Sequence, residues 1–411
     1  MHDDTTSDGR TRRDYLKYGS ALLTGGLVAG CTGDADSGSG ATASTSATGS
    51  ASTSTPGGTT QADATTQTET AATSGDSYTV EMAPVGTVEF EAVPETWESY
   101  FPGYADMGVA LGQADGLSAV GVTSRYHTDY YEELDGVSVD ESSVTQLYDE
   151  GIDKELYYEL DNDVHLTDPR WLTENSFFGL EEADVEELRS NVAPFVGNTI
   201  FRRTDAWHTY PYYTMYEAFE KVAQVFQQEE RYAAFESLHE AFLGRIGESL
   251  PPADERPAGL LCFAASDEPE KFSPYRLADE GTNKKQFRDL GVSDALAGTG
   301  VKGLSTDDRG QIDYETMLEV DPEALFVRGH ESKSREEFRE TVVAFMRGHS
   351  VASELTAVKN DAVYRGGPIY QGPIQNLFVT ERFAKLLYPD AYTDEELFDR
   401  GRVSDIVGGT A

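Results

Sequence analysis

A break in composition at Tyr78 constrains this chain more than any other feature. From Thr32 to Ser77 it is built almost wholly of Ser, Thr, Ala, Gly and Asp, without one aromatic residue. Such a stretch cannot bury enough apolar surface to offset the entropy lost on ordering. Residues 32–77 therefore read as a flexible tether. Folding is left to residues 78–411, a length sufficient for two lobes of ordinary domain size.

Upstream of the tether, Thr11-Arg12-Arg13-Asp14-Tyr15-Leu16-Lys17 precedes a short apolar run from Ala21 to Ala29. The run is too short to span a bilayer. A charged start, a short apolar middle and small residues before a cut site make residues 1–31 a secretory signal. The pair Arg12 and Arg13 makes it the twin-arginine type, which exports folded proteins. Leu27-Val28-Ala29-Gly30-Cys31 resembles a lipobox, in which the cysteine is lipidated and becomes the first mature residue. The expected location is the outer face of the cytoplasmic membrane, anchored through Cys31.

Charge sets the surroundings. Seventy-three Asp and Glu against 32 Lys and Arg give a formal net charge of -41. The acids are spread along the folded part, as a solvated surface would spread them. Self-repulsion on this scale destabilises a compact state at low salt, and is tolerable where the Debye length falls to roughly 3 Å, near 1 M. A salt-loving source of haloarchaeal type follows. Nucleic acid is set aside as a partner, since no basic patch is legible to meet phosphates. Of two cysteines, Cys31 goes to the lipid. Cys262 stands alone in Leu260-Leu261-Cys262-Phe263, which reads as a buried, inert thiol.

The folded part reads as two α/β halves around a helical middle: 78–210, 211–250 and 251–411. Strands are expected at Thr96–Phe101, Leu117–Gly121 and Val164–Thr167, with helices at Tyr104–Gly112 and Glu155–Leu160. Met215, Phe219, Val222 and Phe226 recur at helical spacing. After the polar break Gln228-Glu229-Glu230-Arg231 the pattern resumes with Tyr232, Phe235, Leu238, Phe242 and Ile246, and Pro251-Pro252 ends it. Strands at Ala258–Ala265, Ala324–Val327 and Ala362–Arg365 and a helix at Asn376–Leu387 complete the second half. Alternating strands and helices imply small parallel or mixed sheets covered by helices.

Three stretches carry a resemblance: Gly108–Val122 (GVALGQADGLSAVGV), Ile312–Val327 (IDYETMLEVDPEALFV) and Leu355–Asp390 (LTAVKNDAVYRGGPIYQGPIQNLFVTERFAKLLYPD). Together they resemble the periplasmic binding proteins of ferric-siderophore, haem and cobalamin importers, here in a haloarchaeal lipoprotein form. The resemblance implies two α/β lobes joined by one rigid helix, with the ligand held in the cleft between them. It implies ABC permease and ATPase subunits as partners, a monomeric working form and no catalysis. The family docks through one glutamate per lobe. The matching positions are Glu155 in DKELYYELDND and Glu315 in DYETMLEVDPE, two stretches that also resemble each other.

In α/β sheets, ligands meet the loops beyond the carboxyl ends of strands. Aromatic and basic side chains fall near such ends: Tyr100, Tyr104, Arg125, Tyr126, Trp171, Arg202, Arg203, Trp207, His208 and Tyr210 in the first half, Tyr275, Arg276, Arg365 and Tyr370 in the second. Aromatics give apolar contact with a polar tip, and arginines pair with carboxylate, catecholate or hydroxamate oxygens. Arg202-Arg203 stands out in so acidic a chain. An anionic ferric chelate of siderophore type suits this set as cargo, with no resident cofactor. Cobalamin, haem and free ferric ion are the alternatives, and a purely structural surface lipoprotein is another. The histidines are scattered, with no pair or triple to hold zinc. There is no Gly-x-Ser-x-Gly, no Cys–His nucleophile and no Gly-x-Gly-x-x-Gly after a strand, so an enzyme is not expected.

Overall fold

Val80, Met82, Val88 and Phe90 alternate with polar neighbours, and the folded chain begins there as an antiparallel hairpin of β1 (Tyr78–Met82) and β2 (Gly86–Phe90). The computed structural model describes residues 77–305, 309–393 and 395–410. The expected signal with Arg12, Arg13 and Cys31, and all of the tether but Ser77, lie outside them. The hairpin is an addition to the sequence reading, whose strands began at Thr96.

The first lobe follows with β3 (Trp97–Ser99), α1 (Pro102–Ala110), β4 (Leu117–Val120), β5 (Thr145–Gln146), α2 (Lys154–Leu160), β6 (Val164–His165), α3 (Pro169–Glu174) and α4 (Glu182–Asn191). Its strands pair in the order β5-β4-β3-β6, all parallel. Parallel sheets need cover on both faces, and Trp97, Ala119 and Val164 are fully buried. Between β4 and β5 a long connection with two 3₁₀ turns carries Arg125, Tyr126, Tyr130 and Tyr131 towards the second lobe.

Two helices lead out of this lobe. The first, α5 (Met215–Phe226), is capped by Thr214 and Glu217, each side chain bonding the other's backbone N–H. Such a capping box satisfies two otherwise orphaned donors. Gln227 adopts a left-handed φ of 51°, and α6 (Glu229–Ser249) starts two residues on. The polar run Glu229-Glu230-Arg231 therefore forms the first turn of the second helix, and the break between the two is Gln227-Gln228. Twenty-one residues make α6 about 32 Å long. Only Phe235, His239, Phe242 and Ile246 are buried along it, one narrow stripe.

The second lobe comprises β7 (Ala258–Phe263), β8 (Ser273–Tyr275), α7 (Lys285–Asp289), β9 (Ser293–Asp294), α8 (Tyr314–Val320), β10 (Ala324–Arg328), α9 (Arg335–Phe338), a π turn (Arg339–Val343), α10 (Ala344–Gly348), α11 (Thr356–Lys359), β11 (Val363–Arg365), α12 (Pro373–Leu387) and α13 (Arg400–Gly408). Its sheet is mixed: β11, β10, β7 and β9 are parallel, while β8 runs antiparallel to β7. Cys262 lies fully buried within it, its thiol pushed upward by burial. The α/β architecture expected from the sequence is the one observed.

One apolar cluster runs from the first lobe through α5, α6 and α12 into the second, and another fills the far side of the second sheet. The lobes are thus welded along α12 as well as through the connector. At the weld, buried Asp106 of α1 accepts from the backbone N–H of Ile374 and Gln375 at 2.9 and 3.2 Å, and from the Tyr131 hydroxyl at 2.7 Å. A first-lobe carboxylate therefore caps a second-lobe helix, satisfying donors that the helix cannot satisfy itself.

Candidate functional site

Both lobes present aromatic and basic groups to one place. Tyr370, in the loop between β11 and α12, packs its ring against Phe101 at 5.5 Å and Phe201 at 5.0 Å, both from the first lobe. Trp171 of α3 lies 5.4 Å from Phe101, 5.2 Å from Phe201 and 6.2 Å from Tyr100. These rings form a near-continuous wall at the carboxyl ends of β3 and β6.

Basic groups are set into it. Arg125 is exposed, bonds the Tyr370 hydroxyl, and carries no ion pair among the described residues. Arg202 stacks over Trp171 at 5.2 Å and Phe201 at 5.3 Å. Its charge is engaged by a bidentate pair with Asp205, at 2.7 and 3.0 Å. From the second lobe, Arg328 at the end of β10 is buried, lies over the Tyr275 ring at 5.0 Å and donates to the carbonyls of Asn283 and Gly367. Lys284 is also buried. Loss of hydration there, then the positive Arg288, Arg328 and Arg202, against the pull of Asp279, bring its ammonium down to about 7.

Protonation completes the picture. Burial, and then neighbouring phenols, raise Tyr100 above the ordinary phenol range, against the pull of Arg125. Tyr370 is raised too, by burial, despite Arg125 and Arg202. Both remain O–H groups at neutral pH, able to donate to an anion. The His208 ring lies 3.9 Å from that of Trp207 and is held down to about 4, mainly by burial, so it is neutral. Among the described residues no three His, Cys, Asp or Glu side chains converge to hold a metal ion.

Six of the sequence candidates meet at this wall: Tyr100, Arg125, Trp171, Arg202, Tyr275 and Tyr370. The others do different work. Tyr104 is fully buried and its hydroxyl is bonded to both backbone groups of Asn198. Tyr126 bonds Tyr131, which bonds Asp106, beneath α1. Arg203 turns to the Tyr210 carbonyl and ring. Arg276 ties down the loop through the carbonyls of Leu296 and Val301, and Arg365 bonds the carbonyls of Glu331 and Lys333. Local charge on these residues is thus spent on the fold. Conversely, Phe101, Phe201, Lys284 and Arg328 belong to the wall and were not among the candidates. Arg328 follows immediately on the expected strand Ala324–Val327, and the rule of strand carboxyl ends would have found it.

Glu155 and Glu315 occupy matching positions. Each is exposed in the first turn of a seven-residue helix, α2 or α8. Each helix has an aspartate cap at its start, Asp153 or Asp313, and ends on a left-handed aspartate, Asp161 at φ 45° or Asp321 at φ 43°. Three positions beyond each glutamate, Tyr158 and Leu318 are 38% and 37% exposed, two of the three exposed large apolar side chains among the described residues.

A family profile described as periplasmic binding protein matches residues 99–370. Solved structures share the fold. The petrobactin-binding protein YclQ of Bacillus subtilis aligns with TM-score 0.53 at 15% identity, over 78% of this chain and 100% of that one. The triscatecholate siderophore-binding protein FeuA of Bacillus subtilis, in complex with ferri-bacillibactin, aligns at 0.53 and 14%, over 76% and 98%. CeuE of Helicobacter pylori with Ni(II) bound aligns at 0.51 and 15%, over 76% and 90%. No curated relative matches the chain.

Proposed function

The chain belongs to the periplasmic binding protein family, and we propose that it captures a ferric chelate of siderophore type for an ABC importer. The family acts outside the cytoplasm and binds a solute for transport, so the chain is a binding protein and not an enzyme. The observation that carries the ligand reading is the aromatic wall around Tyr370, with exposed Arg125 at its edge and Lys284 and Arg328 buried behind it. Aromatic faces suit the flat rings or apolar arms of a chelator. Protonated phenols and guanidinium groups suit its anionic oxygens. Two structural neighbours whose names carry siderophores are consistent with this reading.

Delivery is read from the matching helices. Glu155 and Glu315 offer one carboxylate per lobe to arginines of a permease. In strong salt exposed ion pairs weaken, and the equivalent apolar side chains Tyr158 and Leu318 supply contact that screening leaves intact. The chain is tethered through lipidated Cys31 after export by the twin-arginine route, and acts as a monomer. Substituting Glu155 and Glu315 together by Ala is expected to leave ligand affinity unchanged while abolishing uptake into cells or vesicles. Loss of binding in vitro would remove these residues from the docking role. Substituting Arg328 by Ala is expected to weaken binding at least tenfold, and unchanged affinity would overturn the cleft reading.

A further inference from the structure

Although the sequence shows no basic patch, the fold assembles one. Six basic side chains from separated segments line a single cavity of about 360 Å³ on the second lobe: Arg335, Arg339, Arg347, Arg365, Arg382 and Lys385. Asp361 is the one acid among the lining residues, and none of the cleft side chains named above reaches it. In a chain of formal net charge -41, chance would surround a cavity with acids.

Four of the six charges are engaged. Arg347 pairs with Asp361, Arg382 with the buried carboxylate of Glu331, and Lys385 with Glu381 at 2.8 Å, while Arg365 donates to main-chain carbonyls. Arg335 and Arg339 are different: both are exposed, and neither carries an ion pair among the described residues. They stand four positions apart, where like charges on a helix repel. Arg339 also opens the π turn Arg339–Val343, a local widening often found at functional sites. The floor between them is apolar, with Phe338, Val363 and Leu386.

Two unpaired guanidinium groups above an apolar floor fit one ligand chemistry. We infer that this cavity binds an organic oxyanion, a phosphate or sulfate monoester whose apolar part rests on the floor and whose oxygens meet Arg335 and Arg339. Guanidinium presents parallel N–H donors that match such an anion. The ester can be a soluble metabolite or the headgroup of a lipid in the membrane alongside.

The test is isothermal titration of the folded protein with phenyl phosphate. Saturable binding is expected, weakened at least tenfold in R335A/R339A and in R335Q/R339Q, and unchanged in R125A, which alters only the cleft. Because both arginines are exposed, the variants should keep the parent's thermal midpoint and its response to a ferric chelate. Absence of saturable binding, or equal affinity in both double variants, overturns the inference. Co-sedimentation with phosphatidic acid vesicles, lost in R335A/R339A, assigns the site to a headgroup. Binding of phenyl phosphate without it assigns the site to a soluble ester.

Discussion

At the scale of single residues, burial decides what each charged group can do. Lys284 is 1% exposed and its ammonium is lowered to about 7. A lysine whose folded value lies below its unfolded one stabilises the fold fully above the unfolded value, near 10.5. That contribution is lost as pH falls through about 7. An anion entering the cleft favours the charged form and raises the value again. Binding at pH 8 is therefore expected to take up a proton. Calorimetry in buffers of different ionisation enthalpy reads the number directly, and binding with no proton uptake would take Lys284 out of the site. Residue-level reading of the sequence went furthest where side chains stand at strand ends, as Tyr100 and Tyr275 do. It did not reveal how Arg202 and Arg203 are held, because their partners, Asp205 and the Tyr210 carbonyl, are fixed by the fold of a connecting segment and not by any periodic pattern.

At the scale of elements, α12 shows both what a pattern reveals and what it hides. Its apolar spacing marks a helix over Asn376–Leu387, but the helix begins at Pro373 and every residue from Pro373 to Glu381 is buried. Its polar positions are internal and bonded: Gln375 to the His127 carbonyl at 2.9 Å, Asn376 to Gln371 at 2.9 Å, Glu381 to Arg400. Buried polar groups of this kind are tolerated only when paired, and the partners lie outside the helix, in the loop before it, the segment after it and a distant connection of the first lobe. Close approach matters equally here. A methyl group on Gly372 would stand 2.4 Å from the Gly103 carbonyl oxygen and 2.7 Å from the Asp106 carboxylate. Gly372→Ala should therefore lever α1 and α12 apart and cost about 1–3 kcal/mol, read as a lower urea midpoint. A wild-type midpoint would mean that the weld between the lobes yields easily. The hairpin β1–β2 escaped the sequence reading for a related reason: it borders the tether, and it is held by tertiary contact, the Tyr78 hydroxyl donating to the Val225 carbonyl of α5 at 2.5 Å.

At the scale of the whole molecule, two α/β lobes, a long connecting helix and a shared apolar cluster make a body that resists opening. The alternation of strands and helices was legible because each element carries its own period. The candidate site was half legible, because Tyr100, Tyr275 and Arg328 stand at strand ends, while Arg125, Phe201, Arg202 and Tyr370 come from loops and connections whose course only packing determines. Net charge also acts at this scale. With 73 acidic against 32 basic residues, repulsion is relieved as the Debye length shortens. The thermal midpoint is expected to rise between 0.2 M and 3 M KCl, and a flat or falling midpoint would show that the acids are balanced in place. The central claim is capture of a ferric chelate in the cleft, and tryptophan fluorescence tests it most directly, since Trp171 lies within the aromatic wall. The protein in high salt would be titrated with ferric hydroxamate, ferric catecholate, ferric citrate, haem, cobalamin and free metal ions. The account predicts saturable quenching by a ferric chelate that its iron-free form does not reproduce, lost when Arg328 is replaced by Ala. A response to haem or cobalamin alone, or to nothing in the panel, would contradict it.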